Sequence, residues 1–298
     1  MEFGKLADIS SVKWALPLDD PKNKLRFEPT HNFKIYFGSP AWSCKHWRGK
    51  IYPPDARPEK FLYYYSRTFN CIELNTTHYR IPSSDTVNSW LSEVPSHFRF
   101  CPKLYQKISH DRQGMGDKKL LEEWINFLSG LGENLGISFI QLHELFSYSD
   151  KMLLFKFLEN WPTEFKLSLE LRHPSWFQKN KILPALTDYL HRRGIGLVIT
   201  DVAGRRDVLH TSLSSSWAMI RTIGNELDKS DESRLTEWTD RLREWHQLGV
   251  KEVYFMLHQP DDRMTIEYAQ LARKVFLQAG FSDLPEFELE KPKDLFSL

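Results

Sequence analysis

The sequence predicts a single α/β domain, a parallel β/α barrel of eight strands with a short or missing sixth helix and an N-terminal extension. Three observations support this prediction. The chain has 298 residues, close to the roughly 250 that are typical of such a barrel. Eight apolar runs of strand length, rich in Ile, Val, Phe and Leu, follow one another from residue 34 onward. Segments with helical spacing of apolar residues separate most of these runs.

The alternation of strands and helices also predicts the domain organisation. We expect residues 1–32 to be an extension packed on the barrel, and residues 33–298 to form the barrel itself. The sixth connection, 202–216, is short and rich in Ser, Gly and Arg, which leaves little room for a helix. The predicted strands are 34–37, 71–74, 98–101, 137–142, 167–171, 197–200, 217–220 and 253–257. The predicted helical segments are 58–69, 120–131, 153–158, 183–190, 235–245 and 266–276.

Composition narrows the class of partner. The formal net charge is +1, so the chain has no global attraction to nucleic acid or to anionic membranes. The three cysteines, Cys44, Cys71 and Cys101, lack any Cys-x-x-Cys spacing, which is typical of free thiols in a reducing compartment. The sequence contains no apolar run of signal-peptide or membrane-spanning length. We therefore expect a cytoplasmic protein that binds a small molecule; its oligomeric state stays open.

Polar side chains end most of the predicted strands. Alternate residues of a barrel strand point inward, and the last of them faces the mouth where barrel enzymes place their chemistry. Unpaired charges there would cost several kcal/mol each, so the side chains either pair with one another or meet a ligand. The predicted strand-end residues are Glu73, Asn75, Lys103, Gln141, His143, Glu170, Arg172, Asp201, Arg221 and His258.

Both charge signs occur among these residues, and each favours a different role. Lys103, Arg172 and Arg221 favour a ligand that carries carboxylate, phosphate or sulfate, because guanidinium groups bind such anions through paired hydrogen bonds. Glu73 and Glu170 are the candidate acid/base pair, as in sugar chemistry. Asp201 is a further catalytic candidate at the sixth strand.

The loops after the strands add a histidine and several aromatic candidates. His173 is either an acid/base group or a loop histidine satisfied by the backbone. Trp42, Tyr79 and Trp176 are candidate walls of a substrate site; Trp42 could equally belong to an apolar lid.

Motif absences exclude several enzyme classes. The sequence has no Gly-x-Gly-x-x-Gly after a strand, no phosphate-binding loop and no Gly-x-Ser-x-Gly. The motifs for binding a dinucleotide, for binding a nucleoside triphosphate and for serine-hydrolase catalysis are therefore missing. We predict no cofactor and no metal ligands, with a divalent metal kept as an alternative because carboxylates and histidines lie among the strand ends.

Several segments together resemble the YecE-like family, also called domain of unknown function 72. The resemblance spans about residues 34 to 260 and implies a β/α barrel; it supplies no reaction. The matching segments are Gly38-Ser-Pro-Ala-Trp42, Trp47-Arg-Gly-Lys-Ile-Tyr-Pro53, Ile72-Glu-Leu-Asn-Thr-Thr-His-Tyr-Arg80 with Pro82-Ser83, Thr86-Val-Asn-Ser-Trp90, Ile108-Ser-His110, Glu170-Leu-Arg-His-Pro-Ser-Trp-Phe177 and Thr200-Asp201.

The chain departs from the family pattern after the fourth, seventh and eighth strands. It reads Gln141-Leu-His-Glu144 where the family typically has Gln-Leu-Pro-Pro, Arg221-Thr-Ile-Gly224 where it has Arg and then His-Gly, and Leu257-His-Gln-Pro-Asp261 where it has Asn-Asn or Asn-Asp. Three hypotheses therefore stand: an acid/base enzyme for a small anionic or sugar-like metabolite, a non-catalytic binding protein, and a nucleic-acid or sugar-phosphate processing protein.

Overall fold

The computed structural model describes residues 4–287. Each of the eight predicted runs forms a strand there, and all pairings among these strands are parallel. A short antiparallel hairpin lies between the fifth and sixth runs. In chain order the strands are β1 (Lys34–Gly38), β2 (Cys71–Leu74), β3 (Arg99–Pro102), β4 (Ser138–Gln141), β5 (Leu167–Glu170), β6 (Phe177–Gln178), β7 (Lys181–Ile182), β8 (Gly196–Asp201), β9 (Trp217–Ile223) and β10 (Glu252–His258).

The prediction of a closed eight-stranded barrel is wrong. Six strands form one parallel sheet in the order β1-β10-β9-β8-β5-β4, and β2 and β3 form a separate parallel pair. The backbone ladder is interrupted at two places, between β1 and β2 and between β3 and β4. The fold is therefore an α/β arrangement with an open six-stranded sheet.

Side chains replace backbone hydrogen bonds between β1 and β2. The side-chain amide of Asn70 accepts from the backbone N–H of Phe37 at 2.7 Å and donates to the carbonyl of Ile35 at 3.1 Å. The hydroxyl of Tyr65 accepts from the N–H of Ser39 at 2.9 Å and donates to the carbonyl of Cys71 at 3.0 Å. These two side chains satisfy the backbone groups of β1 and β2 that have no partner on the neighbouring strand. The backbone ladder is therefore interrupted between β1 and β2.

A proline interrupts the other junction. The N–H of Leu104 donates to the carbonyl of Phe139 at 2.8 Å, next to an isolated bridge between Lys103 and Phe139. A regular parallel ladder would repeat this bond two residues earlier, but that position is Pro102, which has no N–H. The hydroxyl of Ser138 donates to the Pro102 carbonyl instead, at 3.2 Å.

Helices occupy most of the connections between strands, and each predicted helical segment overlaps an observed helix in sequence. The sixth connection holds only a three-residue 3-10 turn, Ala203–Arg205, as its length predicted. Two helices, α2 and α3, were not predicted. Val87, Trp90 and Leu91 of α2 have helical spacing and pack against the core, but the prediction did not use them, and α3 has only four residues. The helices are α1 (Phe61–Thr68), α2 (Ser84–Glu93), α3 (Gln106–Ser109), α4 (Lys118–Gly130), α5 (Lys151–Glu159), α6 (Pro184–Arg192), α7 (Lys229–Gln247) and α8 (Thr265–Gln278).

The two faces of the strands bury different cores. One face packs against the helices and forms the larger core, with members such as Ile35, Ile72 and Ile220. The alternate strand positions form a smaller core on the opposite face, as the period of two in a strand requires. The members of this smaller core are Tyr36, Cys71, Cys101, Ile137, Phe139, Val198, Met219, Tyr254 and Met256.

The segment before β1 contacts the rest of the chain at several points. The indole of Trp14 lies under the guanidinium of Arg234, 4.9 Å from its centroid. The buried Asn23 donates to the carbonyl of Thr211 at 2.8 Å and accepts from the N–H of Leu213 at 2.9 Å. Among residues 4–287, no helix is both long and apolar enough to cross a membrane.

Candidate functional site

A buried arginine joins two carboxylates at the carboxyl ends of the strands. Arg221 donates from Nε to Oε2 of Glu73 at 2.9 Å and from Nη2 to Oε1 of the same residue at 2.8 Å. Its Nη1 donates to Oε2 of Glu170 at 2.8 Å. All three side chains are at most 1% exposed. Glu73 and Arg221 continue the strand parity of the smaller core, since they lie two residues after its members Cys71 and Met219. Glu170 alternates with Leu169 of the larger core and so points to the opposite face from it.

Polar neighbours occupy the remaining carboxylate positions of Glu73. The amide of Asn75 donates to Oε1 at 3.0 Å, and Nε2 of His258 lies 2.9 Å from Oε2. Because an ionised carboxylate only accepts hydrogen bonds, Nε2 of His258 carries the proton.

Glu170 connects Arg221 to Lys103 through hydrogen bonds. Nε of Arg172 donates to its Oε1 at 3.0 Å, and the amide nitrogen of Gln141 donates to its Oε2 at 2.8 Å. The amide oxygen of Gln141 in turn accepts from Nζ of Lys103 at 2.8 Å. The strand-end cluster therefore comprises eight of the predicted site residues: Glu73, Asn75, Lys103, Gln141, Glu170, Arg172, Arg221 and His258.

The two glutamates of the cluster are ionised at neutral pH. Burial alone would raise the pKa of Glu73, but Arg221 and His258 outweigh it and hold this pKa well below its usual range. Burial likewise opposes ionisation of Glu170, yet Arg221 and Arg172 lower its pKa to about 2. A carboxylate with so low a pKa carries no proton at neutral pH, so neither residue acts as a general acid in this state.

Lys103 differs from the arginines of the cluster in its counter-ions. Burial, followed by the charge of Arg221, lowers its pKa from 10.5 to about 8, although Glu170 and Glu73 act in the opposite direction. Within the described part of the chain, no carboxylate lies within ion-pair distance of its amine, and its hydrogen bond goes to the neutral amide of Gln141. The amine therefore titrates near physiological pH.

An open cleft of about 640 Å³ lies beside His258, at the opposite end of the hydrogen-bonded cluster from Lys103. His258 lies in its wall, with residues of the loops after β1, β9 and β10 and with Lys5. Within residues 4–287, Nδ1 of His258 has no hydrogen-bond partner, and Nε2 bonds to Glu73. The remaining wall residues are Pro40, Cys44, His46, Glu226, Gln259, Pro260, Asp261, Asp262 and Arg263.

Strand parity separates Asp201 from the cluster. Val198 belongs to the smaller core, so Thr200 faces the cluster side and Asp201 faces the helices. The Asp201 carboxylate is fully buried and accepts from Nε1 of Trp238 at 2.8 Å. It also pairs with Arg234 at 3.0 Å and with Arg206. Its arginine partners come from a loop and from α7, and no pattern around residue 201 indicated them.

Thr200 was not predicted as a site residue. It is 4% exposed, and its hydroxyl has no hydrogen-bond partner among the described residues. A buried hydroxyl without a partner is uncommon. Its register partner on β9 is Arg221, so the hydroxyl lies beside the cluster. Alternation from Val198 was the sequence signal that could have found it.

A row of three imidazoles lies on the loops after β2, β3 and β4. The ring of His110 is 4.9 Å from that of His78 and 5.5 Å from that of His143, both edge-on. Burial lowers the pKa of His78, and burial with the charges of His78 and Lys103 lowers that of His110. His143, a predicted site residue, is exposed and accepts from the N–H of Leu145.

The four loop candidates lie apart from the cluster contacts. His173 bonds to Ser175 within its own turn. Trp176 is fully buried and donates to the carbonyl of Phe146 at 2.8 Å, so it is a core residue. Trp42 packs edge-on against another indole, Trp90, and Tyr79 is 69% exposed. Over residues 4–287, no three His, Cys, Asp or Glu side chains lie together as metal ligands would.

Comparison with protein families and curated proteins gives consistent matches. Residues 36–288 match the family model described as "Protein of unknown function DUF72". The chain is 32% identical over 246 residues to UPF0759 protein YecE of Escherichia coli K12, covering 76% of this chain and 87% of that protein. It is also 32% identical over 80 residues to UPF0759 protein YunF of Bacillus subtilis strain 168, covering 27% of each.

Solved structures of the same family share the fold. A DUF72 family protein of Enterococcus faecalis V583 aligns with a TM-score of 0.67 at 20% identity, covering 83% of this chain and 99% of the other. A DUF72 family protein of Thermotoga maritima MSB8 aligns with a TM-score of 0.63 at 25% identity, covering 82% of this chain and 98% of the other. The names of these relatives carry no reaction.

Proposed function

The chain belongs to the DUF72 family, and from its strand-end cluster we propose that it is an enzyme acting on a small polar, anionic or sugar-like metabolite by acid/base chemistry. The observation that carries this proposal is one continuous hydrogen-bond chain. It runs from His258, in the wall of the cleft, through Glu73, Arg221, Glu170 and Gln141 to Lys103. Two groups suited to proton transfer thus stand at its ends.

His258 is the acid/base residue of this proposal, in place of Glu73 itself. A carboxylate that accepts from one imidazole nitrogen fixes the ring and its tautomer, and makes the other nitrogen the proton acceptor. Glu73 has this role because Arg221 and Asn75 hold it in place and keep it ionised. Glu170 orients Arg172 and Gln141 in the same manner.

The cleft and the cations support the proposed ligand class. A volume of about 640 Å³ suits a small metabolite. The wall combines Lys5, His46 and Arg263 with acidic residues, so it favours a polar ligand. Lys103, within the cluster, and Thr200, beside it, carry an amine and a hydroxyl that suit an anionic or hydroxylated group. The three free cysteines support the cytoplasm as the proposed compartment.

A metabolite-library thermal-shift screen, followed by mass-spectrometric detection of product, tests the proposal. His258→Gln is the decisive variant, because a glutamine amide can still donate to Glu73 but has no basic nitrogen. We expect this variant to bind the stabilising compound and to convert it roughly 10²–10⁴-fold more slowly. The exposed His97 supplies the matched control, His97→Gln, which should convert it at the wild-type rate.

Two outcomes would contradict the proposal. If His258→Gln converts the compound as fast as wild type, His258 is not the acid/base residue. If compounds bind wild-type protein but none is converted, the chain is a binding protein without catalysis.

A further inference from the structure

The surroundings of the Lys103 amine suit a nucleophile. Acid/base chemistry at His258 does not require a nucleophilic lysine. We propose that Lys103 condenses with the carbonyl group of a small 2-oxo acid or related anionic carbonyl compound to form an imine. The proposal deepens the proposed function and rests on it for the presence of a small anionic ligand at the strand ends.

Geometry is the first support. Lys103 directly follows β3, on the same strand face as Cys101 and beside the buried cluster. Gln141 holds Nζ at 2.8 Å through its amide oxygen, and this amide is itself fixed by Glu170 at 2.8 Å. The amine is therefore positioned by a neutral acceptor that takes no proton from it and does not stabilise its charged form as a carboxylate would.

Charge is the second support. Burial, followed by the guanidinium charge of Arg221 and then that of Arg172, acts against the ammonium form and lowers the pKa of Lys103 to about 8, although Glu170 and Glu73 act in the opposite direction. A lysine placed in an apolar pocket or beside another cation is a recognised way to make an amine nucleophilic at neutral pH. At pH 7 such a lysine has on the order of a hundredfold more unprotonated amine than one of ordinary pKa.

The condensation balances without a further reactant. The lone pair of unprotonated Nζ forms a bond to the carbonyl carbon and gives a carbinolamine. The carbonyl oxygen then leaves as water with the two protons that Nζ carried, and a carbon–nitrogen double bond remains. The imine becomes cationic on protonation; the guanidinium groups of Arg221 and Arg172 oppose that charge, and Glu170 and Glu73 favour it. A carboxylate on the same substrate offsets the opposition, so an anionic carbonyl compound is favoured over a neutral ketone.

Reductive trapping on the full chain tests the proposal. The protein is incubated with glyoxylate or pyruvate and sodium cyanoborohydride, which reduces imines to stable amines, and the modified lysines are located by peptide mass spectrometry. We expect Lys103 to be labelled at pH 7 at least tenfold faster than any other lysine. Lys107→Met removes an exposed lysine of α3, four residues after Lys103, and should leave this labelling unchanged.

Two variants separate a reactive amine from a structural one. Lys103→Arg keeps the charge, cannot form an imine and should lose the label. Gln141→Glu keeps the lysine but puts a carboxylate beside Nζ, so it should raise the pKa and slow labelling at least tenfold at pH 7. Circular dichroism shows whether each variant is folded.

The possible results divide cleanly. Labelling spread evenly over surface lysines, or unchanged labelling in Gln141→Glu, would overturn the imine proposal. His258→Gln should still be labelled at Lys103, because imine formation does not require that imidazole. Labelling at Lys103 without turnover of any metabolite would leave this inference standing and refute the proposed function; turnover without labelling would do the reverse.

Discussion

Arg221 offers the sharpest test of the buried cluster, because one side chain compensates two buried carboxylates. Arg221→Met keeps much of the aliphatic volume and removes the guanidinium hydrogen bonds of 2.8–2.9 Å to Glu73 and Glu170. Glu73 then retains Asn75 and His258, and Glu170 retains its two other partners. Breaking a buried ion pair from one side costs about 3–5 kcal/mol, and here the partial compensation sets our expectation at about 4 kcal/mol. At about 2 °C per kcal/mol, the melting temperature should fall by about 8 °C.

Urea unfolding at pH 7 and pH 5 measures both the size and the sign of this effect. In wild type, Glu170 has a pKa of about 2 in the folded chain against 4.5 ordinarily. Its stabilising contribution is therefore complete above pH 4.5 and is lost as the pH falls toward 2. Without Arg221, burial dominates and raises the folded pKa, so the carboxylates take up protons more readily in the folded state.

The difference between wild type and variant should therefore be smaller at pH 5 than at pH 7. Arg243→Met is the matched control, because Arg243 pairs with Asp240 on the exposed surface of α7, where such pairs contribute under 1 kcal/mol. A loss below 1 kcal/mol for Arg221→Met, or an equal difference at both pH values, would refute the reasoning.

Two further predictions concern buried groups away from the cluster. Asp201→Asn should lower the free energy of unfolding by about 3 kcal/mol, because it leaves the buried Arg234 with only the longer contact to Asp231, at 3.5 Å, as an ion pair. Urea unfolding measures this loss, and labelling of the lysine amine should be unaffected. In the native protein, Ellman's reagent should modify Cys44 before Cys71 or Cys101, since both of those are fully buried and burial raises the pKa of the Cys71 thiol. Equal rates for the three thiols without denaturant would contradict the burial described here.

The sequence predicted the strands and the side-chain face of the cluster from local patterns. Each apolar run reports its own period, so alternation places Glu73, Glu170 and Arg221 on one face before any contact is known. Closure of the sheet is a different kind of property. It depends on backbone groups that meet across long stretches of chain, and a single Pro102 or the side chain of Asn70 removes a ladder bond without changing any hydrophobic pattern.

Partner identity was equally beyond the local pattern. Asp201 ends a strand as Glu170 does, yet it faces Arg234 and Trp238 on a helix, over thirty residues further along the chain. Parity counted from the strand's own core residue would have separated the two carboxylates. The partners themselves follow only from how α7 packs, which the strand sequence does not encode.

The two discontinuities in the backbone ladder give the polar cluster a mechanical role as well. Glu73 lies in β2 and Lys103 directly follows β3, whereas Gln141, Glu170 and Arg221 belong to the six-stranded sheet. The side-chain hydrogen bonds of the cluster therefore connect the β2–β3 pair to the six-stranded sheet, where few backbone hydrogen bonds do so. Any ligand or proton that weakens the bond between Arg221 and Glu73 also weakens this connection. Ligand binding at the site should then change the rates of amide hydrogen exchange in β2 and β3, although the ligand does not contact the hydrogen bonds between these two strands.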